Sequence, residues 1–283
     1  MQIYYVDGKF VRADQAVIPV DDLAILRGIG VFDLVRTYSG RILFLKEHIE
    51  RLFHSARQIH LPIPWSEDDI SQVVIDTLGR NSLEEANIRI IITGGSSPDF
   101  MTPTGRPRLI VMVTPLPRLP EWWYQKGVKV ILSRAQRPTP GAKTTDYASA
   151  AAALQAAQAQ GAVEVIYLDC DDNALEGATS NLFAVIGPNL VSPGRGILSG
   201  ITRKAVLEIT AKFHPIQLRD IPLAELLRAD EVFITGTNKG LIPVIQIGDS
   251  IIGNGRPGPV SLRIMDELRR YTETLMTQTP DRL

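Results

Sequence analysis

Two runs of almost unbroken β-branched and apolar residues, 88–93 and 109–114, constrain this chain more than any other feature. A strand that is apolar on both faces must be covered on both, so each run belongs inside a sheet with other elements packed over it. Shorter runs at 128–135, 163–168, 182–186 and 231–235 repeat the signal, with glycine, proline, serine or aspartate turns between the elements. Helical periodicity is confined to 45–59, 67–79, 148–160, 202–212 and 260–275. By themselves, composition and periodicity establish a chain of mixed α and β structure, and no internal repeat is present.

The first third shows how local chemistry sets these elements. Residues 3–6 and 9–11 flank Asp7-Gly8, the signature of a hairpin with a type I′ turn. Asp21-Asp22 offers a helix cap before a short turn. A strand over 30–38 ends at Ser39-Gly40, and a second strand is expected at 42–44. In the helix that follows, Leu45, Ile49, Leu52, Phe53 and Ala56 form one apolar stripe, and Arg51 lies beside it. Glu67, Asp68 and Asp69 open the next helix, where acidic side chains suit the positive end of the dipole. Residues 94–106 form a Gly/Pro/Ser-rich loop long enough to be functional. The proline-rich piece 115–120 is the candidate interdomain linker, and the alanine-rich helix 148–160 predicts close packing. Gly248-Asp249 and Gly253-Asn254-Gly255 read as hairpin turns.

Charge narrows the function classes. A formal net charge of -1 and a pI near 6.4 over 283 residues give no electrostatic basis for binding nucleic acid or an anionic membrane. Cys170 is the single cysteine, so no internal disulfide forms, and no run is apolar enough to span a bilayer. The N-terminus lacks a charged leader followed by an apolar stretch, and a cytoplasmic location is expected. His48, His54 and His60 do not share a helical face, so no metal site is read there.

Chemistry concentrates in two stretches. Lys143 follows a Pro-Thr-Pro-Gly turn and precedes the alanine-rich helix, a junction that puts a side chain at the mouth of a sheet; surface charge is the alternative reading. Glu176 follows the turn at 169–173 and precedes Gly-Ala-Thr-Ser-Asn, small residues that let backbone approach a ligand; a turn-capping glutamate is the alternative. Further on, the glycine turn 194–200 opens a helix, whose free N–H groups and dipole suit phosphate. Gly236-Thr237-Asn238 makes a second such loop, and neither a Walker motif nor a dinucleotide GxGxxG accompanies them.

The ordered motifs AKTTDY (142–147), LEGATSNLF (175–183), GITR (200–203) and GT (236–237) resemble the fold-type IV pyridoxal-phosphate enzymes, or class IV aminotransferases. That family includes branched-chain and D-amino-acid aminotransferases and aminodeoxychorismate lyases. The resemblance implies an α+β architecture, with a smaller N-terminal domain (1–115), a linker (116–125) and a larger cofactor-binding domain (126–283). It also implies a homodimer whose active site borrows residues from the partner. Under it, Lys143 forms a Schiff base with pyridoxal 5'-phosphate and moves the α proton, while Glu176 keeps the ring nitrogen protonated. Arg51, the N–H groups of Ile201 and Thr202, and Thr237 hold the phosphate. Leu198 packs on the ring, and Tyr147 approaches the phenolic oxygen, one position away from the tyrosine of the branched-chain enzymes. The substrates implied are an amino acid and a 2-oxo acid.

The loop after the 88–93 strand departs from the best-known D-amino-acid aminotransferases. Where they carry an arginine and a histidine for the substrate carboxylate, this chain has Asp99 and Met101. Arg89 and Arg27 are the candidate replacements, because a carboxylate favours a bidentate guanidinium. The expected activity is transamination of a D-amino acid, with a branched-chain L-amino-acid aminotransferase or an aminodeoxychorismate lyase as alternatives.

Overall fold

A computed structural model describes residues 1–278, and the chain divides into two compact units. Among the described residues, one comprises Met1–Pro117, Gly141–Tyr147 and 275–278; the other comprises Arg118–Pro140 and Ala148–Thr274. Helices and sheet are mixed along the whole chain, which gives the expected α+β class.

In the first unit, β1 (Ile3–Val6) and β2 (Lys9–Arg12) form the expected hairpin, with positive φ at both Asp7 and Gly8. The short helix α1 (Leu23–Arg27) is capped by Asp22, whose side chain accepts from the Ala24 N–H. Strands β3 (Gly30–Tyr38), β4 (Arg41–Ile42), β5 (Ala86–Thr93) and β6 (Leu109–Pro115) complete a six-stranded sheet in the order β2-β1-β6-β5-β3-β4. The strand expected at 42–44 stops at Ile42, because Phe44 turns left-handed, φ 60°, to start α2 (Leu45–Gln58). Helix α3 (Glu67–Gly79) begins with a capping box between Ser66 and Asp69. Both helices cover one sheet face. Val31 and Val35, then Ile88, Ile90 and Ile92, alternate inward against Ile49, Leu52 and Ala56 of α2 and Ile70 and Val74 of α3.

Residues Gly141–Tyr147 join this unit through backbone pairing. Thr144 bridges to Val31; the Phe32 N–H donates to the Lys143 carbonyl (2.9 Å), and the Thr145 N–H donates to the Gly30 carbonyl (2.9 Å). Position 30 has to be glycine for this approach, since a Cβ would meet the Ile92 carbonyl at 2.9 Å and Thr145 Oγ1 at 3.0 Å.

The second unit has α4 (Trp122–Lys126) as its first element, and this helix overlaps the end of the stretch 116–125 read as a linker. Its sheet is built from β7 (Val128–Arg134), β8 (Glu164–Leu168), β9 (Asn173–Gly177), β10 (Asn181–Ile186), β11 (Asn189–Ser192), β12 (Ile216–Leu218), β13 (Ile221–Pro222), β14 (Glu231–Gly236), β15 (Gly240–Ile247) and β16 (Ser250–Ile251). The order is β12-β11-β10-β14-β15-β7-β8-β9-β13, with β16 on β15. A single pair, Glu176 with Asn181, also joins β9 to β10, so the sheet closes on itself. Val130, Ile166, Leu182, Val232, Ile234 and Val244 fill one face. On the other, Phe183 and Phe233 stack (centroids 4.9 Å apart) beneath Val206 of α6 (Ile201–Thr210) and Ile264 of α8 (Pro259–Gln278).

Two local expectations need correction, and one alternative reading falls away. Glu176 lies in β9, where it pairs with Asn181 of β10 and its side chain bonds Arg137, Asn181 and Leu198 instead of capping the 169–173 turn. Helix α5 (Ala148–Ala159) is not closely packed: only Ala150 and Ala157 are buried, since alanine favours the helix without supplying a stripe of large apolar side chains. Gly253-Asn254-Gly255 leads through a turn into α8 and does not join two strands. Helix α7 (Leu223–Leu226) is a single turn that follows β13. Among the described residues, no helix is long and apolar enough to cross a membrane.

Candidate active site

Lys143 is held by its backbone and presents its amine to an aromatic ring. The Ser55 hydroxyl, on α2, accepts from its N–H (3.0 Å), while its carbonyl accepts from Phe32. These two bonds fix the main chain of a residue that belongs to no regular element. Its Nζ stands 4.7 Å from the centre of the Phe32 ring, and the Tyr147 ring meets the same ring edge-on at 5.4 Å. The predicted Lys143 and Tyr147 therefore come together around Phe32.

Arg51 reaches the site region already engaged. Asp33, fully buried on β3, accepts from Arg51 Nε (2.8 Å) and Nη2 (2.7 Å) and lies 2.7 Å from His48 Nδ1. Burial alone would raise the Asp33 carboxyl, but the Arg51 charge, His48 and their hydrogen bonds outweigh it and hold it well below the usual carboxylate range. An ionised Asp33 has only acceptors, so His48 Nδ1 is the donor in this pair. Burial, helped by the nearby Arg51 and Lys143 charges, holds the His48 pKa below its ordinary value against the pull of Asp33. Ser55 then ties this cluster to the lysine, since its hydroxyl also donates to the Arg51 carbonyl (2.8 Å).

In the second unit, Glu176 is 4% exposed and has donors on both oxygens. Oε1 accepts from the guanidinium of Arg137, which also bonds the Pro140 carbonyl. Oε2 accepts from the Leu198 N–H (3.0 Å) and from Asn181 Nδ2 (3.2 Å), and Asn181 donates in turn to the Leu198 carbonyl (2.9 Å). The predicted Glu176 and Leu198 are thus in direct contact. Gly200 is required beside them, because a Cβ there would collide with Asn181 Oδ1.

Ile201 and Thr202 begin α6 behind Gly200, and no side chain caps that end. The first N–H groups of the helix are left for a ligand. Thr237 and Asn238 occupy the turn between β14 and β15, where the Lys239 N–H donates to the Gly236 carbonyl (3.0 Å). Thr235 Oγ1 and Asn238 Oδ1, on either side of Thr237, are buried without hydrogen-bond partners. Free amides and an unmatched hydroxyl are the donor set that a phosphate needs.

The two arginines read as a carboxylate clamp are not in contact with each other within the chain. Arg89 lies exposed on β5, opposite in direction to Ile88 and Ile90, with its guanidinium 5.2 Å from the Phe32 ring centre. Arg27 is exposed at the end of α1, and its guanidinium bonds the Leu26 carbonyl (3.0 Å). Among the described residues, neither has a carboxylate partner. Asp99 is occupied within its own loop, accepting from the Thr102 N–H (2.9 Å), Ser97 Oγ (2.7 Å) and the Met101 N–H (2.9 Å); these bonds hold it well below the usual carboxylate range.

Sequence reasoning does not identify Asp33, His48, Ser55, Arg137 or Asn181. Asp33 leaves one trace, a charge on the inward-facing series Val31, Asp33, Val35, Thr37, all buried. Arg137 and Asn181 leave none, because their roles depend on how β9, β10 and the segment after β7 come together.

The chain is similar to known proteins over most of its length. The model of the family described as amino-transferase class IV matches residues 30–247. A relative from Methanocaldococcus jannaschii, provisionally assigned as a branched-chain-amino-acid aminotransferase, is 33% identical over 276 residues, covering 94% of each chain. The chloroplastic D-amino-acid transaminase of Arabidopsis thaliana is 28% identical over 279 residues, covering 93% of this chain and 74% of that protein. The crystal structure of a T.th. branched-chain amino acid aminotransferase with pyridoxamine 5'-phosphate superposes with a TM-score of 0.89 at 29% identity, covering 99% of this chain and 95% of that one. The architecture is that of fold type IV, and over more than half of its length this chain carries the family's pattern: it belongs to the class IV aminotransferases, which use pyridoxal phosphate.

Proposed function

We propose that this aminotransferase moves the amino group of a D-amino acid to a 2-oxo acid, with Lys143 as the group that carries the cofactor and the proton. The observation that carries the substrate reading is the Phe32 ring, which Lys143 Nζ and the Arg89 guanidinium both approach, at 4.7 and 5.2 Å. A carboxylate bound by Arg89 would then lie beside the same ring that the reactive amine faces.

The residues fit pyridoxal phosphate. Arg51, the N–H groups of Ile201 and Thr202, and Thr237 take the phosphate; the uncapped helix end and the unmatched Thr235 hydroxyl support this. Glu176 holds a proton at the ring nitrogen, and its bonds to Arg137, Asn181 and the Leu198 N–H keep its carboxylate oriented. Leu198 lines the ring face, and Tyr147 donates toward the phenolic oxygen. When bound, the cofactor supplies an aldehyde for the amine and a ring that takes up the electron pair left at the substrate's α-carbon. With that group bound, the Lys143 amine would hold it at rest and, once freed by the substrate amine, would serve as the base that takes the α proton and the acid that gives it back. Family membership is what assigns the Lys143 and Glu176 clusters to one cofactor.

Arg27 completes the carboxylate site from a second copy of the chain in this reading. Val17, Val20, Ile25 and Leu26, all exposed around it, support a homodimer that covers them. A cytoplasmic enzyme free of disulfides accords with the single, exposed Cys170.

The branched-chain L-amino-acid reading is favoured by the similarities to the Methanocaldococcus jannaschii and T.th. proteins. Mixing the holoenzyme with D- or L-alanine, D- or L-glutamate, or L-leucine, without a 2-oxo acid, separates the two. The D-reading expects rapid loss of the cofactor's absorbance band with the D-enantiomers, slowed in Arg89→Ala and Arg27→Ala. Reaction with L-leucine alone would establish the second reading, and pyruvate release from aminodeoxychorismate without an amino acceptor would identify a lyase.

A further inference from the structure

Glu164, the first residue of β8, has a side chain with no exposed surface, yet donors surround it. Its Oε2 accepts from Thr179 Oγ1 (2.6 Å), Lys239 Nζ (2.6 Å), Ser180 Oγ (3.0 Å) and the Thr179 N–H (3.3 Å), and its Oε1 accepts from the Val165 N–H (3.1 Å). Lys239 Nζ donates a second bond to Thr179 Oγ1 (2.6 Å). One carboxylate, one ammonium and one hydroxyl thus form a closed triangle.

The segments that meet there are the ones that carry cofactor groups in the reading above. Thr179 and Ser180 lead directly into Asn181, which holds Glu176 and the Leu198 carbonyl. Lys239 closes the turn that contains Thr237 and Asn238, and its own carbonyl accepts from the Tyr124 hydroxyl (3.0 Å). A lysine beside a phosphate-binding turn invites the reading of a direct phosphate ligand. Here its charge already lies against Glu164, and its hydrogen bonds to Glu164 and Thr179 both run to the same side of the turn.

We propose that Glu164 and Lys239 are a positioning pair: by pinning the 236–239 turn to the segment that leads into Asn181, they set the affinity for the cofactor phosphate without touching it. The proposal rests on the pyridoxal-phosphate reading. A buried ion pair adds little net stability compared with apolar residues of the same volume, so its chief effect is to fix one geometry. An ammonium and a carboxylate that share one hydroxyl allow a single arrangement of turn and strand, and a turn held in that arrangement loses less freedom when phosphate binds.

The test is a titration of cofactor-free enzyme with pyridoxal phosphate, followed by absorbance, for the parent, Lys239→Met, Lys239→Arg, Glu164→Gln, Thr179→Val and the double variant Glu164→Gln/Lys239→Met. Lys239→Met and Glu164→Gln should each raise Kd about ten-fold or more, and the double variant should be no weaker than the weaker single, the non-additivity expected of directly bonded residues. Lys239→Arg should stay near the parent, and at saturating cofactor kcat and the amino-acid KM should be unchanged. An unaltered Kd in Glu164→Gln together with a raised Kd in Lys239→Met would make Lys239 a phosphate ligand and overturn the proposal. A fall in kcat at saturation, or unaltered Kd in both single variants, would overturn it as well. Should Glu164→Gln not fold, Lys239→Met and the exposed-site variant Thr179→Val carry the decision, and unaltered Kd in both refutes the pair. A parent that does not bind pyridoxal phosphate at all instead refutes the cofactor reading on which the pair depends.

Discussion

Replacing Asp33 by asparagine should destabilise the protein more than any other single-atom change near the site. The carboxylate is fully buried and accepts from Arg51 Nε and Nη2, from His48 Nδ1 and from the Leu34 N–H (2.7 Å). Asparagine keeps the shape, removes the charge and turns an NH2 group toward donors. Arg51, with a side chain only 9% exposed, then retains a positive charge without this counter-charge. Removing one partner of a buried ion pair costs ~3–5 kcal/mol. For a chain of this size that corresponds to a fall in Tm of about 10 °C, measured on cofactor-free enzyme at pH 7 by differential scanning calorimetry. The double variant Asp33→Asn/Arg51→Met should recover much of the loss, because no buried charge is then left unpaired. A fall below ~1 kcal/mol in the single variant, within the range of an exposed ion pair, would refute the view that Asp33 is the counter-charge that holds Arg51.

The stability of the parent should decline as pH falls from 7 through the ordinary histidine pKa of about 6.5, because the unfolded chain takes up a proton that buried His48 resists. His48→Gln should flatten the pH dependence of Tm between pH 7 and 5, and an unchanged slope would locate the effect elsewhere. Asp33 acts at lower pH: its depressed carboxyl stabilises the fold above the unfolded value of about 4, and this contribution is lost as pH falls through the folded value, so acid stability below pH 4 should be less steep in Asp33→Asn. Glu176→Gln should retain pyridoxal phosphate yet lose kcat by about a hundred-fold or more, since an amide does not favour a protonated ring nitrogen; near-parental turnover would rule this role out. Gly200→Ala should displace Asn181 from Glu176 and Leu198, which would be read as a lower kcat and a weaker cofactor Kd, whereas parental values for both would show that Asn181 is not needed there.

Much of the fold is legible in the sequence because local chemistry decides it. The Asp7-Gly8 turn, the acidic first turn of α3 and the apolar stripe of α2 each follow from a short-range rule, whereas the both-sided cover expected for 88–93 does not hold at Arg89, which is exposed. Lys143 and Glu176 stand out for a different reason: the turns and small residues beside them leave bland readings open, and it is the resemblance of the ordered motifs around them that singles them out. The connections between them are not legible. Asp33 meets Arg51 across 18 residues only because α2 lies over β3 in one rotation, and Lys143 is fixed by Ser55 across 88 residues. Glu176 itself is strand, paired across to Asn181, while Ala178, Thr179 and Ser180 bend the chain between β9 and β10. The alanine-rich helix shows the limit of propensity, which gives the helix but not what covers it.

The central claim, that Lys143 carries pyridoxal phosphate, is tested most directly by borohydride reduction of the holoenzyme, followed by digestion and mass measurement of every lysine-containing peptide. The account predicts one phosphopyridoxyl group per chain, on Lys143, and none in Lys143→Ala, whose fold should be intact by circular dichroism. A stoichiometric label on another lysine, or a label that persists in folded Lys143→Ala, would contradict it.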